Sequence, residues 1–428
     1  MRKMKDSGVE WIRNVPENWQ LLTVGSLFKV RNEKVNDTDY PPLSVTKGGV
    51  VPQMESVAKS DATDSRKMVL KNDFVINSRS DRKQSCGVSP LDGSVSLINT
   101  VLYSTPDAPV LPEYLNYLLK NYGFAEEFYR WGHGIVADLW TTRWQEMKNI
   151  LLPIPSIEEQ QKIISTISAQ TGKVDALIAN VQEQIEKLKA YKQSLITEVV
   201  TKGLDPNVPM KDSGVEWIGE IPVSWGIAKL QYCAKIRSGI TLGKKYPDGA
   251  ELIERPYLRV ANVQNGGVVL DDLKTIEVSA EEDAQYRLSA GEVLMTEGGD
   301  RDKLGRGCVW LGQVEPCLHQ NHIFALRTNK LLNPYFLSYV TTSKIGRVYF
   351  DITAIKTTNL ACTNSSKVLA FKLPLPSAGE QQQMVDYLDR QVDKIDKLIS
   401  AKQSKIEKLE QYKRSLIYEY VTGKKEVS

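Results

Sequence analysis

Asn77, Ser78, Arg79, Ser80, Arg82 and Lys83 lie within seven residues, directly after the apolar run Phe74-Val75-Ile76. A guanidinium can grip the edge of guanine through two parallel hydrogen bonds and a carboxamide can do the same for adenine, while hydroxyl, ammonium and backbone N–H groups suit phosphate. A strand that ends in such a cluster suits a loop that reads a duplex. The bland alternative is a solvated strand-to-turn junction. A second polar group, His133, Thr141, Thr142 and Arg143, stands in GHGIVADLWTTRW beside Trp140 and Trp144, which read as packing residues.

Three further groups follow. Glu297, Arg301, Lys303 and Arg306 occupy TEGGDRDKLGRG, whose glycines let a backbone approach phosphate, although the G-K-S/T of a P-loop is missing. His319, Gln320, Asn321 and His322 occupy CLHQNHIF, and Lys356, Thr357, Thr358 and Asn359 lie in AIKTTNL, at the same relative place as DLWTTRW. Cys317, His319 and His322 supply three zinc-type ligands with only Cys308 as a fourth, so base contact is the preferred reading and no metal is expected. Neither a nucleophile with its base, nor a methyl-donor glycine motif, nor a nuclease carboxylate cluster is evident. The chain reads as a binder.

These groups sit in two dissimilar stretches, 20–150 and 226–372, framed by segments written twice. MKDSGVEWI at 4–12 returns at 210–218, each time followed by a proline and a tryptophan, and LPIPSIEEQQ at 152–161 returns as LPLPSAGEQQ at 373–382. Each second echo leads into a proline-free run ending YKQSLI or YKRSLI. From Ile164 onward the first run places Ile178, Ile185 and Val199 at heptad position a, and Ile167, Val174, Val181, Leu188 and Leu195 at d; adding 221 gives the second seam. Lys192 and Lys413 fall at equivalent a positions, and Lys402 stands at d where the first copy has Val181. A helix with one apolar stripe needs a partner, and its own repeat has the matching length. About 42 residues at ~1.5 Å rise give roughly 60 Å, a rod able to hold two unlike heads apart along a duplex. The heads themselves alternate short strands and turns, with helices predicted at 112–131 and 333–350.

A net charge of +3 over 428 residues, with 41% hydrophobic and 25% charged residues, excludes a nonspecific polyanion binder. No apolar run approaches membrane-spanning length, and the polar start carries no export signal. Five scattered cysteines suit a reduced, cytoplasmic chain.

The whole chain resembles the specificity subunits of type I restriction-modification enzymes, on the duplicated openings, the L-P-x-P-x-x-E-Q-Q segments, the YK-SLI ends and VTKGLD at 200–205. Within the variable stretches the resemblance rests on DFVINSRSDRK, LWTTRWQEMKN, VLMTEGG, CLHQNHIF and KTTNLA. It implies an α+β fold with two mixed, strand-rich target-recognition domains joined by two long antiparallel helices that form an intramolecular coiled coil with pseudo-two-fold symmetry. The expected boundaries are 1–150 and 204–372 for the domains, the latter with its linker, and 151–203 and 373–428 for the spacer helices. It also implies a non-catalytic subunit that binds a bipartite, asymmetric target in double-stranded DNA. Two methyltransferase subunits and the restriction/translocase subunits would be its partners, and S-adenosylmethionine, ATP and Mg would sit on those partners only. A stand-alone bipartite regulator and a coiled-coil adaptor are the alternatives.

Overall fold

A serine three residues ahead of a glutamate starts each of the two longest helices. Ser156 Oγ accepts from the Glu159 N–H, and Ser377 Oγ accepts from the Glu380 N–H, both at 3.3 Å; the Glu380 carboxylate in return takes the Ser377 N–H at 3.0 Å. This reciprocal capping satisfies donors that a helix start leaves bare. The helices then run Ile157–Lys202 and Ala378–Val421. A computed structural model describes residues 2–53, 65–79, 82–134, 140–299, 304–305, 307–356 and 361–427. The chain divides into two units, 1–182 with 403–428, and 183–402, so each unit holds a part of both long helices.

Every a and d position of the two seams is buried or half-buried. In the first unit Lys413 Nζ reaches the Asp175 carboxylate at 2.6 and 2.7 Å, and Gln170 donates to the Tyr420 hydroxyl at 3.0 Å. In the second unit Lys192 reaches Asp396 at 2.8 and 2.6 Å, and Lys402 donates to Gln184. Numbers fall along one helix as they rise along the other, so the pairing is antiparallel in both units. Lys192–Asp396 and Lys413–Asp175 are one interaction made twice, 221 residues apart. A seam lysine thus spans the interface and finds a carboxylate on the far rim. Lys402, the seam lysine whose repeat counterpart is Val181, finds the Gln184 carboxamide instead.

Behind their dissimilar sequences the two heads share one sheet. In the first unit the antiparallel order is Phe28–Val30, Asn99–Ser104, Phe74–Asn77, Cys86–Val88; in the second it is Ala234–Ser238, Ile323–Thr328, Val293–Thr296, Gly307–Val309. Each sheet is backed by a pair of short helices. Pro112–Lys120 and Tyr122–Arg130 form one pair, and Pro334–Thr342 and Lys344–Thr353 the other. The sequence predicts each pair as one helix, but Asn121 and Ser343 take extended backbone and break it. Asn121 Oδ1 caps the second helix through the Phe124 N–H at 3.0 Å, which a through-running helix would not allow.

Each core joins the head to both long helices. Trp19, Phe28, Phe74, Phe124 and Phe128 pack with Ile163, Ile167, Leu416 and Val421; Trp225, Phe324, Phe336 and Phe371 pack with Val199, Val200, Val385 and Leu388. One buried glutamine ties each core. Gln160 donates to Pro109 and Pro155 carbonyls at 2.7 and 3.0 Å and accepts the Leu111 N–H at 2.8 Å; Gln381 repeats this with Leu331, Pro376 and Asn333 at 2.9, 2.9 and 2.7 Å.

Gln160→Leu keeps the volume but orphans a buried N–H and two carbonyls, an expected loss of roughly 2–4 kcal/mol. Lys413→Met removes a pair whose partners are 32% and 54% exposed, for which under about 1 kcal/mol is expected. Urea denaturation of the two variants checks the contrast, and equal losses would show that the glutamine is not the tie.

Candidate nucleic-acid interface

In the first unit the strand Phe74–Asn77 is buried along its whole length, so its polar continuation emerges only after Ser78. Asn77 and Ser78 are themselves buried. Asn77 Oδ1 accepts the Arg79 N–H at 3.0 Å, and Ser78 shares a hydrogen bond with Thr100 at 2.9 Å. Arg79 is exposed, and its backbone bridges to Thr141, which in turn exchanges hydrogen bonds of 3.0 Å with His133. Thr142 is buried, donating its N–H to Ser78 at 3.1 Å and its hydroxyl to Phe128 at 2.7 Å. Two clusters sixty residues apart therefore make one surface, from which Arg79, His133 and Arg143 project. Neither Arg79 nor Arg143 has an acidic partner in an ion pair among the described residues. Lys83 is partly committed, paired with Glu126 and 5.4 Å from the Tyr129 ring centroid. Arg82 is exposed, its N–H on the Arg79 carbonyl at 3.3 Å. Ser80 lies outside the described residues.

The second unit repeats the device with other side chains. Thr363, 221 residues beyond Thr142, donates its N–H to the Glu297 carbonyl at 2.8 Å, and the Glu297 N–H meets the His322 carbonyl at 2.9 Å. Gly298–Gly299 pairs with Ala361–Cys362, which pairs with Ile355–Lys356. The glycine segment, CLHQNHIF and the start of AIKTTNL thereby converge. His322 is exposed and its Nδ1 stands 2.6 Å from Glu297 Oε2. Gln320 and Asn321 are half-buried, with Gln320 Oε1 accepting the Val260 N–H at 3.4 Å. Arg301, Lys303, Arg306, Thr357, Thr358 and Asn359 lie outside the described residues, as does the side chain of Lys356.

His319 is turned inward and fully buried, so it meets no external ligand in this arrangement. Neither ring nitrogen makes a hydrogen bond of normal geometry, although the backbone of Tyr286 and Arg237 lies close. Burial, helped by the Arg237 charge, pushes its pKa down to about 4. Its neighbour Cys317 is buried too, and among the described residues no three potential ligands converge on a metal position.

Sequence reading missed the segment 238–246. Ser238 Oγ donates to the Asn321 carbonyl at 3.1 Å, and the Asn321 N–H to the Ile240 carbonyl at 3.0 Å. Gly239 allows this approach, since a Cβ there would stand 2.0 Å from the His319 carbonyl oxygen. Beyond it, Lys244 and the Tyr246 hydroxyl, at 2.7 Å, both donate to Glu282. Burial alone would raise the Glu282 pKa, but these donors and the Ser279 N–H outweigh it and hold it down at about 2. The signal was the glycine-and-lysine run SGITLGKK.

Residues 222–408 match the family described as type I restriction modification DNA specificity domain. The type I restriction enzyme MjaVIII specificity subunit of Methanocaldococcus jannaschii is 25% identical over 431 residues, covering 96% of this chain and 93% of its own. The EcoBI specificity subunit of Escherichia coli is 25% identical over 288 residues, covering 62% of this chain and 57% of its own. Among solved structures, a chain from a type I R-M system aligns with a TM-score of 0.67 at 17% identity, covering 95% of this chain and 98% of that one.

The buried imidazole makes stability pH-dependent. With a folded pKa of about 4 against ~6.5 unfolded, the unfolded chain takes up the proton first; the contribution is complete above pH 6.5 and shrinks by ~3 kcal/mol as pH falls to 4. Urea denaturation at pH 7.5 and 4.5 is expected to show this slope reduced in His319→Phe. An unchanged slope would place the ring in water.

Proposed function

We infer that this chain is a type I restriction-modification specificity subunit, a reading supported by the match at 222–408 and by its relatives, and that it reads a bipartite, asymmetric target in double-stranded DNA. One observation carries the reading. The same four-stranded sheet, with the same threonine link at Thr142 and Thr363, presents Arg79, His133 and Arg143 in one unit and Gln320, Asn321 and His322 in the other. A repeated frame with unlike polar groups around it suits two different half-sites. Arginine would take guanine edges or phosphate, and the carboxamides adenine edges, each good base contact discriminating by ~1–3 kcal/mol.

The long helices also carry a repeated apolar feature on their outer sides. Leu177 and Tyr191 are 51% and 58% exposed, and Leu398 and Tyr412, 221 residues on, are both 52% exposed. All four fall at heptad position g, and each unit holds one leucine and one tyrosine. A patch made twice fits one partner used twice, and two methyltransferase subunits are that partner in this reading. They would bring S-adenosylmethionine and flip the target adenine into their own sites. Restriction/translocase subunits, with ATP and Mg, would complete the complex. This chain would supply the address and no catalysis, in the cytoplasm where the host DNA lies. A stand-alone regulator has no use for the duplicated patch.

The test is an exchange of residues 20–150 for the corresponding head of another family member, followed by single-molecule mapping of methylated adenines. One half of the target is expected to change and the other to stay. A change in both halves, or in neither, would overturn the division of labour.

A further inference from the structure

The first unit contains a pocket of about 750 Å³ whose walls include Trp11, Arg13, Tyr122, Arg414, Tyr418 and Lys424. None of the base-reading candidates lines it. Its counterpart positions in the second copy of the repeat are telling: Arg13 and Arg414 match Gly219 and Gln193, and Lys424, which follows Gly423 as Leu204 follows Gly203, matches Leu204. In the second unit Gln193 Nε2 donates to the Thr342 carbonyl at 3.0 Å, and Thr197 Oγ1 accepts the Lys344 N–H at 3.0 Å, closing the long helix onto the joint between the two short helices. In the first unit Arg414 and Tyr418 stand at those positions, and the joint around Asn121 and Tyr122 is left open. The duplication has been altered here to make a hole and to line it with cations.

Three features show that the hole is built to hold something negative. Arg13, Arg414 and Lys424 make no ion pair among the described residues, whereas the other cation of the pocket, Arg130, is bound to Glu10 at 2.8 Å and Glu127 at 3.3 Å. Glu126, also on the wall, is taken by Lys83. Arg13 adopts φ 60, where the repeat has Gly219 at φ 74; an arginine in the left-handed region carries a conformational cost that the other copy avoids. Lys424 donates to the Ile12 carbonyl at 2.5 Å and lies 4.6 Å from the Tyr418 ring centroid, which fixes its position. Desolvation, with Arg13 nearby and Glu419 opposing, pushes the Lys424 pKa down to about 8.

We propose that this pocket is a phosphate-binding site, present in the first unit only, in which Arg13, Arg414 and Lys424 supply the charge. A carboxylate offers two oxygens and one charge; three cations suit a group with more acceptors and up to two charges. The phosphate could be that of a free nucleotide or of a duplex backbone, and the chemistry of the site is the same for both. The proposal is independent of which bases the heads read.

The test uses the full chain in isothermal titration calorimetry with pyrophosphate, with AMP and with a 20-base-pair duplex, against the variant Arg13→Gly/Arg414→Gln/Lys424→Leu. That variant carries the residues with which the second copy already folds, and Arg414→Gln alone is the fallback should its thermal melt show unfolding. A free-phosphate source predicts one-site binding of pyrophosphate or AMP that weakens at least tenfold in the triple variant. A duplex source predicts that only duplex affinity falls, with a shallower dependence on salt. Identical titrations of parent and variants with all three probes would overturn the site. So would tighter binding of hexaglutamate than of pyrophosphate, which would point to an acidic protein partner instead.

Discussion

The seam between the two long helices is the constraint on which the rest depends. A 46-residue helix with one apolar stripe is unstable in water by itself, because propensity contributes little and the stripe must be covered. Here the cover is the other copy of the same sequence, reversed, so that each seam lysine meets the carboxylate or carboxamide of the opposite rim. Those contacts contribute little free energy at their exposure, but they reject other registers, since a slip would bury lysines without partners. The apolar a and d residues contribute the stability, and in both units they continue into the core of a head.

From that constraint follows the way each head is held. Gln160 and Gln381 lie in the first turn of their helices, fully buried, and bind the loop that leads into the short helix pair. Trp19 and Trp225 donate their indole N–H to Glu159 and Glu380 at 3.0 and 3.1 Å, on the same turns. Sheet, short helices and long helix are thereby fixed to one another by polar contacts that have no freedom to slide. The loops after Asn77 and Thr296 are the parts left to vary. Variation is tolerated there because the threonine links, Thr142 to Ser78 and Thr363 to Glu297, use only backbone groups of the varying residue.

Much of this was legible in the sequence, and the reason is periodicity. The 221-residue offset and the heptads are patterns of spacing, and they became the paired helices they predicted. The common sheet of the two heads was not legible, since four short strands fix only inward-facing bulk, which unlike sequences can supply equally well. Nor was the orientation of single polar residues. Asn77, Ser78, Thr142 and His319 belong to polar clusters, yet all four are buried, because burial of a polar group depends on partners distant in sequence. Thr142 finds Phe128 and Ser78, while His319 is trapped neutral between strands. The segment 238–246 escaped notice because its position is set by Gly239 passing under the His319 carbonyl, a contact across eighty residues.

The claim that most needs a direct measurement is the antiparallel closure of the duplicated helices. Cysteines placed in pairs at 175 and 413, and separately at 192 and 396, can be treated with a short bismaleimide and the linked peptides identified by mass spectrometry, with the parent chain as control for its native thiols. Both pairs are expected to link within one chain, in high yield. Linking of the repeat-equivalent pair 175 and 396 instead, or links found only between two chains, would contradict the account.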